Sequence, residues 1–210
     1  MKDIFNMDSP LMLGLTKLAN LLWLNLLTLL CCVPIITAGA AFTALDSMCL
    51  KLVRNEEGYI VKGYFKAFKE NFKQSTILWL LLILAYGIII SDIYVINNAG
   101  VSFPLIVNIA IVIVCALVTF TAMFLFPMQA KFENPIKITI INAMKASLMN
   151  FPQTLIMVIV LLIFPVLIYF FSNFITLALL FAFSSHAYIS ALLYNKFFAR
   201  MEETKVQVLP

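Results

Sequence analysis

Long apolar runs free of lysine and arginine alternate along this chain with short stretches where the basic residues collect. Five runs, Leu18 to Thr37, Thr76 to Asn97, Pro104 to Met128, Pro152 to Phe171 and Phe174 to Asn195, are each about 20 residues, enough as helix to cover the roughly 30 Å of hydrocarbon in a bilayer. A backbone in lipid must satisfy its own hydrogen bonds, so these runs are predicted to be helices. A sixth stretch, Gly39 to Val53, is about 15 residues, short for a crossing, and carries Asp46. The predicted fold is all-α: a polytopic transmembrane helical bundle forming a single membrane domain over 1–210.

The basic residues orient the segments, because Lys and Arg near span ends stay cytoplasmic while acidic residues contribute little. The links Asn97 to Pro104 and Ser172 to Phe174 contain none and are predicted to lie outside. Lys62, Lys66, Lys69 and Lys73 precede the Thr76 run, Lys131, Lys137 and Lys145 follow the Pro104 run, and Lys196, Arg200 and Lys205 follow the last one. If Gly39 to Val53 crosses, all fourteen basic residues share the cytoplasmic side with both termini; if it re-enters, Lys2 and Lys17 change sides and the split is twelve to two. The one-sided split favours crossing.

Internal similarity points the same way. Asn71-Phe72-Lys73-Gln74-Ser75-Thr76 resembles Asn150-Phe151-Pro152-Gln153-Thr154 at a shift of 79 positions, and Lys17 with Trp23 repeats as Lys73 with Trp79. Three tandem helical hairpins follow, about 10–53, 76–128 and 152–195, joined by cytoplasmic elbows at about 54–75 and 129–151 and followed by a tail at 196–210. Parallel repeats of this kind occur in transporters, but repetition alone establishes no transport.

Asp8-Ser9-Pro10 is a helix start, with Ser9 placed to cap and Pro10 losing no hydrogen bond at the first helical position. In the first elbow, Val61, Phe65, Phe68 and Phe72 recur at helical spacing, and Lys62, Lys66, Lys69 and Lys73 follow each by one position. This pattern predicts an amphipathic helix with its rings in the headgroup layer and its ammonium groups toward anionic lipid, or a docking face for a partner. Ile141, Met144, Leu148 and Phe151 outline a less charged counterpart in the second elbow.

Composition agrees with the membrane reading: 63% of residues are hydrophobic and 11% charged, against about a quarter charged in soluble domains. Mean hydropathy is +1.04. The net charge of +4 is distributed as a membrane protein distributes it and implies no nucleic-acid partner. Cys31, Cys32, Cys49 and Cys115 lack the paired spacing of zinc or dithiol sites and read as small core residues. Thr37-Ala38-Gly39-Ala40 superficially offers a signal-peptide cleavage site, but the preceding run is too long for a signal core, so an ordinary first span or signal-anchor is expected.

Asp46, Asp92 and His186 are the ionisable residues embedded in apolar segments, where a charge costs a few kcal/mol unless partnered or hydrated. Asp46 is deep and expected to pair with Lys51 or a neighbouring lysine; Asp92 stands near an outer end and is expected to be wetted. His186 follows Ser184 and Ser185 and is expected to be a hydrogen-bonded packing residue, with a proton or solute path as the sharper reading. Gly39, Ala40, Ala41 and Ala44 give a smooth helix face for close packing. No catalytic constellation, phosphate loop, cofactor motif or metal spacing is present, so neither enzyme activity nor a cofactor is expected.

Asn25-Leu26-Leu27, Cys32-Val33-Pro34, Thr37-Ala38-Gly39-Ala40-Ala41, Leu52-Val53-Arg54-Asn55-Glu56-Glu57-Gly58 and Phe65-Lys66-Ala67-Phe68-Lys69-Glu70-Asn71-Phe72 together resemble the YesL family of bacterial integral membrane proteins. The resemblance runs along the whole chain and is strongest in the first 80 residues. It implies a multi-pass protein of the cell membrane, without established biochemical activity, in an accessory or scaffold role in carbohydrate uptake or its sensing. The implied partners are a sugar permease or a sensor kinase. A small solute or ion transporter is the competing class, and a lipid-interacting organiser of the membrane is the third.

Overall fold

The computed structural model describes residues 10–98, 104–170 and 175–208; of 10, 176–179 and 202–208 it describes the backbone alone. Ser9, most of the 97–104 link and the 172–174 link lie outside the described residues. The described chain is helical throughout apart from its connections. The helices are α1 (Pro10–Cys32), α2 (Ala38–Arg54), α3 (Ile60–Asn98), α4 (Leu105–Lys131), α5 (Ile136–Met149), α6 (Phe151–Phe170) and α7 (Ile175–Val208). Among the described residues, five helical stretches are long and apolar enough to cross a membrane, Leu11–Cys32, Ile35–Arg54, Ile60–Asn98, Leu105–Lys131 and Phe151–Phe170. The molecule is a helical bundle of a multi-pass membrane protein.

Local chemistry sets the breaks. α1 stops at Cys32 because Pro34 cannot donate to the ladder, and a single 3₁₀ turn, Ile35–Thr37, reverses the chain. The Thr37 hydroxyl lies 2.6 Å from the Cys31 carbonyl, satisfying one acceptor that the end of α1 leaves open. α2 ends at Asn55, the described non-glycine residue with positive φ (55°), a left-handed cap that its short polar side chain tolerates. The Asn55 side chain accepts a 2.8 Å bond from Lys17 of α1, and Arg54 donates to Asn195 of α7 at 2.8 Å, so one end of α2 is tied to both neighbours.

The two copies of the internal repeat fold differently, and a proline stands at the point where they diverge. In the second copy Pro152 lacks the amide that would bond Leu148, so the helix breaks at Asn150 and elbow and span become α5 and α6. Asn150 closes the end of α5 through its amide and side chain, both bonded to the Ala146 carbonyl at 3.0 and 2.9 Å. In the first copy Lys73 stands where Pro152 would, the ladder is uninterrupted, and elbow and span form one 39-residue helix, α3. From Ile60 onward the stretch expected as the first elbow, 54–75, is thus the first part of α3 and is continuous with the span. The tail likewise begins inside α7, which stays helical to Val208.

The uncertain segment is the centre of the bundle. α2 packs against α1, α3, α4 and α7, and 61% of its most apolar window is buried, against 11–22% for the other candidate spans. Its modest hydropathy is explained by this position, since its neighbours are protein rather than lipid. Gly39, Ala40, Ala41 and Ala44 are all buried. They let α3 approach until Gly39 meets the Ser75 backbone and the Trp79 Cβ, while further along Met48 reaches Gly63. The two helices thus run antiparallel, and the Thr43 and Ser75 hydroxyls meet between them at 2.8 Å.

This contact also defines which face of the first part of α3 the bundle buries. Its buried residues are Tyr64, Ala67, Ser75, Leu78 and Leu82, whereas Val61, Phe65 and Phe72 are exposed and Phe68 is half-buried. At about 100° per residue, the aromatic stripe sits roughly a quarter-turn from the buried face, and the lysines lie opposite that face. Small residues permit the closest backbone approach, so they take the helix interface while the larger rings flank it.

Candidate functional site

Two of the three ionisable residues singled out in the apolar segments meet at one cavity. Its volume is about 230 Å³, and it lies between α2, α3, α4, α6 and α7. Asp46 enters from α2; His186 and Ser190 enter from α7, 140 or more positions later in the chain. Asp92 does not join them: it is exposed farther along α3, beside Ile106 and Ala110 of α4.

Asp46 keeps accessible surface although α2 is enclosed, as a side chain bordering a cavity does. The pairing expected with Lys51 is absent: among the described residues its carboxylate makes no hydrogen bond or ion pair, and Lys51 is exposed. The reason is geometric, since a side chain five positions later on a helix lies more than a full turn away and off the same face. The Tyr194 hydroxyl, buried without a hydrogen-bond partner, and Cys49 lie within electrostatic reach of Asp46. His186 Nε2 lies 3.5 Å from Ser190 Oγ, and the Met157 backbone of α6 is within its electrostatic reach. It makes no ion pair with Asp46.

Aromatic rings make up much of the wall. Phe42 stands among Trp79, Phe126 and Phe183, with ring centroids 5.7, 6.0 and 5.6 Å away. The polar tips of the remaining donors are already used elsewhere. Trp79 donates its indole N–H to the Ile35 carbonyl at 2.8 Å, and Tyr86 shares a 3.0 Å bond with Thr119. What these side chains offer the cavity is ring surface.

Pro127 stands inside α4 and Pro165 inside α6, and each lacks the amide hydrogen that would bond the carbonyl four residues earlier, that of Met123 or Leu161. Met123 and Leu161 both line the cavity, and among the described residues no lysine or arginine does.

Other polar contacts fasten the helices around this centre. Asn25, fully buried in the leucine-rich α1, accepts from the backbone amides of Phe183 and Ser184 at 3.1 Å each. Gln129 of α4 donates to Gln74 and Asn71 of α3 at 2.6 and 3.2 Å and accepts from the Thr139 hydroxyl of α5 at 3.5 Å. Sequence reading assigned Asn25, Gln129 and Tyr194 no role. The available signal for Asn25 was an amide isolated among leucines in a span, where an unsatisfied polar group is costly.

Residues 18–93 match a family model described as a protein of unknown function, DUF624. The matched stretch holds most of α1, all of α2 and most of α3, and so includes Asp46 and the Gly39 contact but not His186. No curated protein and no solved structure matches the chain.

Proposed function

We propose that this chain is a YesL-type accessory or scaffold protein of the cell membrane, docking a component of carbohydrate uptake through the first part of α3. One observation carries the reading. The bundle leaves free a surface on which Phe65 and Phe72 are exposed beside Lys62, Lys66, Lys69 and Lys73. Aromatic side chains and cations together suit an acidic protein surface, here a sugar permease or its sensor kinase. In this reading both termini are cytoplasmic, the docking surface faces the cytoplasm, and the chain is not an enzyme. Changing Lys62, Lys66 and Lys69 together to Gln, with helix propensity nearly constant, tests it by co-purification from the native membrane. The variant inserts at the wild-type level and loses the permease or kinase. Retention of the complex would leave the lysines as headgroup contacts and overturn the docking role.

A second reading, passage of a small solute or ion through the bundle, is favoured by the cavity that unites Asp46 with His186. Uptake or efflux by the purified protein in liposomes, abolished by Asp46→Asn, is its test.

A further inference from the structure

We propose that the cavity between α2, α3, α4, α6 and α7 is a binding site for a small organic ammonium ion, with Asp46 as its counter-charge and the rings of Phe42, Trp79, Phe126 and Phe183 as its walls. This goes beyond the docking role and does not depend on it.

Charge balance comes first. Asp46 is a carboxylate among apolar helices with no hydrogen bond and no ion pair among the described residues. An ionised group so placed costs several kcal/mol unless something compensates it. Among the described residues no lysine or arginine lines the cavity. His186, the titratable group facing it from α7, lies beside Ser190 and the Met157 backbone and makes no ion pair with Asp46. A cation from outside is the missing partner.

The walls determine what kind of cation. A metal ion needs several oxygen or nitrogen ligands, and among the described residues no group of three His, Cys, Asp or Glu side chains is close enough to form such a set. Ring faces carry negative quadrupole charge and hold ammonium groups at about 0.5–2 kcal/mol per contact, more when water is excluded. Because Trp79 and Tyr86 already spend their donors on Ile35 and Thr119, the aromatic walls add no competing N–H or O–H. A sugar fits this chemistry poorly: each buried hydroxyl needs a partner, and Asp46, His186 and Ser190 are too few. The volume of about 230 Å³ holds a compact organic cation.

The test uses the full chain in nanodiscs of phosphatidylglycerol, whose lipids carry no ammonium headgroup, so a free cation is the sole source of one. Trp23 is changed to Phe, which leaves Trp79 as the reporting indole. Choline is titrated beside 3,3-dimethyl-1-butanol, its neutral counterpart of the same shape, and Trp79 fluorescence and thermal unfolding are followed. Choline produces a saturable change in both and the alcohol does not. Asp46→Asn weakens choline binding by about tenfold or more, and Phe126→Leu, which keeps the carboxylate and removes one ring, weakens it several-fold. Equal responses to choline and the alcohol, choline binding undiminished in Asp46→Asn, or no saturable response to choline overturns the proposal. If Asp46→Asn does not fold, Phe126→Leu and the comparison of the two probes decide it.

Discussion

Gly39 of α2 lies against Ser75 of α3 with so little room that a Cβ built on it runs into the Ser75 carbonyl and stands 2.5 Å from the Trp79 Cβ. Both obstacles belong to backbone or to a Cβ, which cannot swing away. Gly39→Ala therefore separates α2 from α3 and destabilises the protein by about 1–3 kcal/mol, the usual cost of overpacking. Gly63→Ala, opposed by the flexible end of Met48, is milder, and Gly14→Ala and Gly87→Ala, with open space around them, are neutral or slightly stabilising. Thermal aggregation of the four purified variants in one detergent gives the ranking. Equal midpoints for Gly39→Ala and Gly14→Ala would remove the close-contact argument.

The depth of Asp46 suggested from sequence that replacing it would disturb folding more than replacing Asp92. The absence of a pair reverses that expectation for the isosteric change. Asp46→Asn removes an uncompensated charge and raises the unfolding midpoint of the ligand-free protein, whereas Asp92→Asn, at an exposed position, leaves it unchanged. A lowered midpoint in Asp46→Asn would show that the carboxylate has a stabilising partner after all.

Asn25→Leu deletes the acceptor shared by the Phe183 and Ser184 amides. The cost is about 1–3 kcal/mol, since buried donors lose a bond and nothing replaces it. Hydrogen exchange locates the effect: protection falls first in the α7 peptide containing Phe183 and Ser184. Uniform loss of protection over all helices, or none, argues against a local clamp.

On α3, Tyr64→Ala and Phe65→Ala remove neighbouring aromatic residues from different faces. Tyr64 is fully buried and its hydroxyl reaches the Ala41 carbonyl at 3.3 Å, while Phe65 is 37% exposed. Loss of Tyr64 costs about 3–5 kcal/mol, and loss of Phe65 well under half of that. Comparable destabilisation by the two would show that the aromatic stripe is packed as tightly as the Tyr64 face.

Reporter fusions at Met1 and Pro210 both read cytoplasmic, following the one-sided distribution of the fourteen basic residues. An external N terminus with a cytoplasmic C terminus would mean that α2 does not complete a crossing.

Hydropathy made most of the bundle legible because lipid is the solvent for α3, α4 and α6, and a solvent that uniform writes itself into every exposed position. It could not write α2, whose neighbours are other helices, and there the informative residues were small ones: Gly39, Ala40, Ala41 and Ala44. The face by which α3 meets α2 was illegible for a related reason: the conspicuous pattern was the Phe65 and Phe72 stripe, while the residues that permit the close approach, Ala67 and Ser75, carry little hydropathy signal. Asp46 and His186 were each visible as isolated polar residues, but their meeting was not, since no local pattern links α2 to α7. The two parts of the repeat were visible as similar, and the single difference that matters, Lys73 against Pro152, follows from the missing proline amide.

The enclosure of α2 also sets an order of events during synthesis. α2 emerges well before α7, which covers Cys49 and ties down Arg54 and follows the six other helices in the chain. Until α7 arrives, the Asp46 side of α2 has neither its final protein neighbours nor a lipid-compatible surface. The first three helices must therefore wait in a provisional arrangement, shielded by lipid, by water at the membrane surface or by the insertion machinery. A chain halted before Ile175 would expose that unfinished side, which makes the arrival of α7 the step that commits α2 to its place.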